Sequence, residues 1–295
     1  MSRQNRNTLQ EEKKMENWND KKQQMFDVKD KRVMIASHRG KFSSSVMENT
    51  SLAFLLAMGE GADMVEMDLA LTKDGRLVGH HDATMVRLFH IENKISDFTL
   101  AELMELPLYN YVGEICVERL ETFEEILDAM RDKALLVLDK SWDYWDEVYE
   151  VLNDRDMVGQ AIFKFYDKDE AAYEWAEKHT DCIFVPMVKN VASLERMLKL
   201  KEKTALPAIE ILATAESDAI YSKEVLNWIH ENGMKVWCNS LSLARRLVFG
   251  AGNDDLRSFR HGGDTGWGKL IEQGVDIIQT DWPYEVKQYL LEKGL

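Results

Sequence analysis

The spacing of its apolar runs constrains this chain more than any other feature. Nine short β-rich runs, at 33–37, 63–69, 76–80, 134–138, 160–163, 182–186, 208–211, 235–238 and 276–279, are interleaved with amphipathic stretches at 50–58, 122–131, 168–177, 191–200, 223–232 and 266–273. Strand–helix alternation predicts a parallel sheet, and a parallel crossover takes a dozen or more residues. The second and third runs are separated only by 70–75, ending in Asp74-Gly75, which is a hairpin signal. The third run is therefore read as the return arm of a hairpin that extends the second strand. Eight parallel strands remain. That count, over residues 32–295, predicts an α/β fold of the (β/α)8 TIM-barrel type; an open doubly wound sheet is the alternative.

Charge narrows the function. Asp and Glu number 52 against 37 Lys and Arg, a formal net charge of −15, the opposite of the basic surface that nucleic acids and anionic membranes require. A small-molecule partner is expected instead. No apolar run reaches the roughly 18 residues of a membrane span, and residues 1–30 lack the apolar core of a signal peptide. Cys116, Cys182 and Cys238 are few and far apart. They read as reduced core cysteines of a cytoplasmic protein, not as a disulfide frame or a zinc site. Residues 1–31 read as a polar tail in which Leu9, Met15, Trp18, Met25 and Phe26 are spread through charged sequence, and residues 32–295 as the barrel domain. The tail is either partly ordered or a short amphipathic helix packing on the body or on a second subunit, which leaves a homo-oligomer open.

In such a barrel the chemistry lies at the C-terminal ends of the strands. Strand one ends in Ser37-His38-Arg39-Gly40, and strand two carries Glu66 and Asp68. Residues two apart on a strand face the same way, so these carboxylates offer hard oxygen ligands suited to Mg²⁺ or Ca²⁺. If Asp74-Gly75 is a two-residue turn, residues whose numbers add to 149 pair across the hairpin, Asp68 faces His81, and the chain returns to the mouth. His38, Arg39, Glu66, Asp68, His81 and Asp82 then converge. Two histidines poised near neutral pH can act as general base and general acid, while a divalent cation and a guanidinium can clamp a phosphoryl oxygen. These parts suit in-line attack on a phosphodiester.

At the same positions the sequence resembles the glycerophosphodiester phosphodiesterase family. The resemblance runs through His38-Arg39-Gly40, Glu48-Asn49-Thr50 with Ala53-Phe54 and Ala57, Gly61-Ala62-Asp63 to Glu66 and Asp68, Thr72-Lys73-Asp74-Gly75, Leu77-Val78, His81-Asp82 and Arg87. It continues in the stretch 96–103, in Val236-Trp237 with Asn239, and in Thr280-Asp281-Trp282-Pro283. The resemblance implies a distorted (β/α)8 barrel. The implied enzyme is a phosphoric diester hydrolase that cuts glycerophosphodiesters to glycerol 3-phosphate and an alcohol, within lipid and glycerol metabolism. It also implies His38 and His81 as the acid/base pair, Glu66 and Asp68 as ligands to a divalent cation, and Arg39 as a phosphate contact.

The third barrel strand departs from the family pattern of Glu, any residue, Lys. Here it ends Val137-Leu138-Asp139-Lys140. Lys140 fits as a phosphate contact, but Leu138 occupies the carboxylate position. On a regular strand Asp139 is expected to point the other way, unless a bulge or the strand end swings it in as a third metal ligand; failing that, Glu210 or water fills the gap. Glu210 reads as a contact for glycerol hydroxyls or for the metal. Trp237 reads as a pocket wall or as core, and Lys164 as an anion contact or a surface lysine. Trp142, Tyr144 and Trp145 either line a pocket for the alcohol or cap the barrel. The glycine-rich stretch 249–268 reads as a mobile cover. Two alternatives to the hydrolase stand: a non-catalytic phosphate-ligand binder, favoured by Leu138, and a lysophospholipase D-type enzyme, which needs an apolar landing surface.

Overall fold

The computed structural model describes residues 17–244 and 247–295. Nine strands form one sheet: β1 (Met34–Ser37), β2 (Met64–Leu71), β3 (Leu77–Gly79), β4 (Leu135–Asp139), β5 (Ala161–Tyr166), β6 (Ile183–Val188), β7 (Ala208–Ile211), β8 (Lys235–Asn239) and β9 (Ile277–Thr280). Their order is β1-β9-β8-β7-β6-β5-β4-β2-β3, and a further pairing of β1 with β2 closes the ring. Eight parallel strands with helices between them make a TIM barrel, as the alternation of strand and helix signals predicts. Closure is uneven. β2 and β4 share five residue pairs, whereas β1–β2 and β6–β7 share two each.

β3 lies antiparallel to β2 as the return arm of a hairpin, but its register differs from the expected one. Leu69 pairs with Gly79 and Leu71 with Leu77, and the His80 amide donates to the Asp68 carbonyl at 3.0 Å. Paired numbers thus add to 148, and His80, not His81, lies opposite Asp68. The loop has three residues. The Thr72 amide donates to Arg76 O and the Gly75 amide to Thr72 O, while Gly75 takes a left-handed φ of 75°. This is a tight turn followed by a left-handed residue, the usual three-residue hairpin.

Strand alternation divides the core. Outward-facing Val65, Met67, Leu136, Leu138, Phe163, Phe165 and Phe184 join the apolar faces of the helices in the main cluster. Inward-facing Met34, Ala36, Met64, Leu135, Val137, Ile162, Ile183, Val185, Ala208, Trp237 and Ile277 fill the lower barrel. The helix Trp18–Phe26, begun by an Asn17–Asp20 capping box, stops this lower end with the fully buried Met25. Its neighbours all precede barrel strands: Lys21 pairs with Asp63 at 2.6 Å, Trp18 Nε1 donates to Asp132, and Lys22 Nζ to Gly159 O. The part of the polar tail that carries Leu9 and Met15 lies outside the described residues. A smaller satellite core, with Val78, Met85, Leu88, Phe89, Leu103 and Leu120, follows the hairpin and packs on Met47.

Candidate active site

Near the C-terminal end of the barrel the inward positions change from apolar to charged. Two residues beyond Met64, Val137, Ile162, Ala208 and Ile277 stand Glu66, Asp139, Lys164, Glu210 and Gln279, all lining a cavity of about 470 Å³. His38, Arg39, Asp68, His81, Lys140 and Asn239 join them in its polar wall, with Lys189 and Thr214 beyond. The strand ends aim these groups by strained backbone. Arg39 (φ 55°) and Gly40 (φ 78°) follow β1, and Lys140 (φ 49°) follows β4, all in the left-handed region where non-glycine residues cost energy and cluster at functional sites. Gly40 has a second reason to lack a side chain, because a Cβ there would lie 2.7 Å from the Ala53 backbone carbon.

Each of the two histidines has Nδ1 on an aspartate: His38 on Asp281 at 2.8 Å and His81 on Asp82 at 2.6 Å. That contact fixes the ring and leaves Nε2 free to work on a ligand. Asp82 also accepts from Arg87 Nε at 2.6 Å. Arg87 forks onto both oxygens of Glu48 at 2.8 and 2.6 Å, and Tyr111 donates to Glu48 at 2.6 Å. Arg39 Nη1 reaches Glu48 at 3.2 Å, and its Nε lies 3.3 Å from Asp68. Burial opposes ionisation of Glu48, yet Arg87, Arg39 and Tyr111 hold its carboxyl at about 2. Glu48 is therefore an anchor behind Arg39 and not a cavity wall.

On the opposite side Lys164 is the hub. Its Nζ stands 2.7 Å from Glu210, 3.2 Å from Asp139 and 3.5 Å from Gln279. Burial alone would lower its pKa, but Asp139, Glu210 and Glu66 hold it well above the ordinary lysine value. Burial likewise works against Asp139, but Lys164 and the Lys140 amide keep it below the usual range. Burial pushes Glu210 up against the pull of Lys164, and Asn239 donates to it at 2.8 Å.

Glu66 is the least compensated of these acids. It accepts the Arg39 amide at 2.9 Å, but burial first, then the charges of Asp68 and Asp139, drive its pKa well above the carboxylate norm. Hard oxygens crowded this way are the donor set a divalent cation relieves. Among the described residues, however, no three His, Cys, Asp or Glu side chains are close enough to hold a metal as they stand. Lys164 and Arg39 occupy the counter-charge positions between them.

Comparison with known proteins fits this geometry. The profile of the glycerophosphoryl diester phosphodiesterase family matches residues 38–284. The chain belongs to this family. A glycerophosphodiester phosphodiesterase of Bacillus altitudinis is 26% identical over 256 residues, 84% of this chain and 94% of that protein. One from Caldanaerobacter subterraneus is 42% identical over 107 residues, 36% of this chain, and there the chain spans only 44% of the relative's length. The crystal structure of a glycerophosphoryl diester phosphodiesterase from Parabacteroides distasonis superposes with a TM-score of 0.75 at 25% identity, covering 90% of this chain and 88% of that one. An Oleispira antarctica phosphodiesterase, solved with its product sn-glycerol-3-phosphate, gives 0.63 at 19% identity, covering 88% and 98%. Membership makes the chain a phosphodiesterase by class.

Within this phosphodiesterase frame, most of the expected site residues meet in one cavity: His38, Arg39, Glu66, Asp68, His81, Asp139, Lys140 and Glu210. Asp139 arrives without a bulge. Val137 faces inward and Leu138 outward, so ordinary alternation brings Asp139 in, in register with Asp68. The expectation that a regular strand would turn it away is corrected. Of the two readings of Trp237, core holds and substrate contact does not. It is wholly buried one layer below the cavity, where its Nε1 supports Gln279 at 3.2 Å, and it is not a cavity wall. Trp145 is outer core packed on Phe163 and Trp175, Tyr144 donates to Lys140 O at 2.7 Å, and Trp142 leans on Tyr166. Tyr166, not this trio, reaches the cavity.

Sequence reasoning left Lys164 open between an anion contact and a surface lysine, and it missed Gln279 and the role of Asp281. Lys164 and Gln279 were legible from alternation, two residues beyond Ile162 and Ile277. The partnership of Asp281 with His38 spans 243 residues and leaves no local signal.

Proposed function

We propose that this chain hydrolyses glycerophosphodiesters to glycerol 3-phosphate and an alcohol, with His38 and His81 as the acid/base pair. The observation that carries the reading is the pair of imidazoles on one cavity, each held through Nδ1 by an aspartate. One Nε2 takes a proton from the attacking water while the other gives one to the leaving oxygen. Arg39 and Lys140 bind the phosphate oxygens, and Asn239 and Glu210 face the polyol. Glu66, Asp68 and Asp139 would hold a divalent cation, Mg²⁺ or Ca²⁺, which when bound polarises a phosphoryl oxygen and offsets its charge. The crowding that raises Glu66 supports that assignment. The product held by the Oleispira antarctica relative is of the chemistry proposed. The expected setting is a cytoplasmic enzyme of lipid or glycerol metabolism.

Release of glycerol 3-phosphate from glycerophosphocholine, with Mg²⁺, Ca²⁺ or EDTA, tests this reading. Turnover that EDTA abolishes and either metal restores is expected. Tight glycerol 3-phosphate binding without turnover on any head group would instead make the chain a phosphate-ligand binder.

A second reading rests on the far wall of the same cavity, where Met187, Ile211, Leu212, Leu241, Leu243 and Phe249 are apolar. An acyl chain fits such a wall, which favours a lysophospholipase D-type substrate. A higher kcat/KM for a short-chain lysophosphatidylcholine than for glycerophosphocholine would select it; the reverse order would discard it.

A further inference from the structure

The glycine-rich stretch that reads as a mobile cover holds the helix Asp255–His261, and its first residue is buried against the ends of β8 and β9. Asp255 is 1% exposed, and its contacts with Ser240 and Thr280 join two strand ends to this segment. Its Oδ1 accepts from Ser240 Oγ at 2.6 Å and Trp267 Nε1 at 2.8 Å, and both its oxygens lie 3.0 Å from Thr280 Oγ1. Its own amide donates to Ser240 O at 2.7 Å. Ser240 follows β8 and Thr280 ends β9. A polar side chain is costly to bury unless it is hydrogen-bonded, and here the Asp255 carboxyl is placed to tie two strand ends together.

Thr280 passes the constraint on. Its hydroxyl, spent as a donor on Asp255, accepts the Trp282 amide at 2.9 Å, and its carbonyl accepts the His38 amide at 3.0 Å. The intervening residue is Asp281, whose carboxylate holds His38 Nδ1 at 2.8 Å. The turn Thr280-Asp281-Trp282 is thus fixed from behind by Asp255 and presents Asp281 in front to the imidazole.

We propose that Asp255 is a positioning residue for catalysis, setting the orientation of His38 through Thr280 and Asp281. The inference rests on the reading of His38 as an acid/base group. It assigns the glycine-rich segment the role of a brace, because the contact that docks it also sets the turn behind the imidazole. Small displacements of a reacting group are costly in rate, so the effect belongs in kcat.

A double-mutant cycle tests it. Asp255→Asn should lower kcat about tenfold with KM within about twofold, as expected for a misplaced acid/base group. Once Asp281→Asn has already released His38, adding Asp255→Asn should change kcat by less than about twofold. The same fold loss in both backgrounds would overturn the proposal, since a purely structural tie acts independently of Asp281. If Asp255→Asn does not fold, Thr280→Ser, which keeps the hydroxyl, should retain kcat while Thr280→Val loses it; equal losses would assign the effect to packing. A His38→Ala variant of unchanged kcat removes the underlying reading together with the inference. A slow His38→Ala beside an unaffected Asp255→Asn removes the inference alone.

Discussion

The two ends of this barrel are built from the same strands and differ completely in chemistry. At the lower end the inward positions carry Met, Leu, Ile and Trp, sealed by Met25. Two residues further along, the same strands carry Glu66, Asp139, Lys164 and Glu210, almost wholly removed from solvent apart from Asp139. Burying apolar surface stabilises a fold, whereas taking charges out of water costs several kcal/mol per ion unless each is well paired. The lower end therefore stabilises the barrel. The mouth draws on that stability to keep charges ready for a ligand, the usual division between scaffold and site.

The contrast can be broken in four ways. Removing His38 or His81 as alanine should cost roughly 10²–10⁴ in kcat with an unchanged melting curve; a lowered melting temperature of matching size would mean that the mouth also carries the fold. Lys164→Met should do both kinds of damage, because it leaves Asp139 and Glu210 without their cation, and breaking a buried pair costs about 3–5 kcal/mol. Urea titration reads this, and an unshifted midpoint would show that the pair is dispensable. Met25→Ala should cost roughly 2–5 kcal/mol by opening a cavity at the lower end while leaving kcat alone at a temperature where the variant is folded. Any fall in kcat larger than the unfolded fraction explains would show the two ends to be coupled.

The smallest effect concerns acid. The Glu48 carboxyl drops from 4.5 to about 2 in the fold. A depressed carboxylate contributes stability that is complete above its unfolded value and is lost as pH falls through its folded one. Stability should therefore decline between pH 4.5 and 2, and less steeply in Glu48→Gln. Parallel slopes for the two proteins would place the acid sensitivity elsewhere.

The barrel was legible because its signals are local: period-two strands, helix spacing and one connection too short for a crossover. The polar wall was legible where a motif carried it, as in His38-Arg39-Gly40. The hairpin register was misread by one residue because Asp74-Gly75 fits a two-residue turn, and only the Thr72–Arg76 closure reveals three. Asp139 was misjudged by counting from the family pattern; counting from Val137, which faces inward, gives the right side. The anchoring of Arg39 by Glu48, and of His38 by Asp281, depends on chain segments meeting in space, and sequence spacing holds no trace of it. Glu121 takes both the amide and the hydroxyl of Ser51, a contact visible only in three dimensions.

The end of β3 has an outcome beyond its length. β3 stops at Gly79, and two imidazoles follow. His80 is buried beside Phe89, its pKa lowered first by burial, while His81 opens on the cavity. Continued pairing opposite Asp68 would offer His80 to the inner face, so the departure of the chain from the ladder after Gly79 chooses which neighbour meets the cavity and which fills the packing behind it.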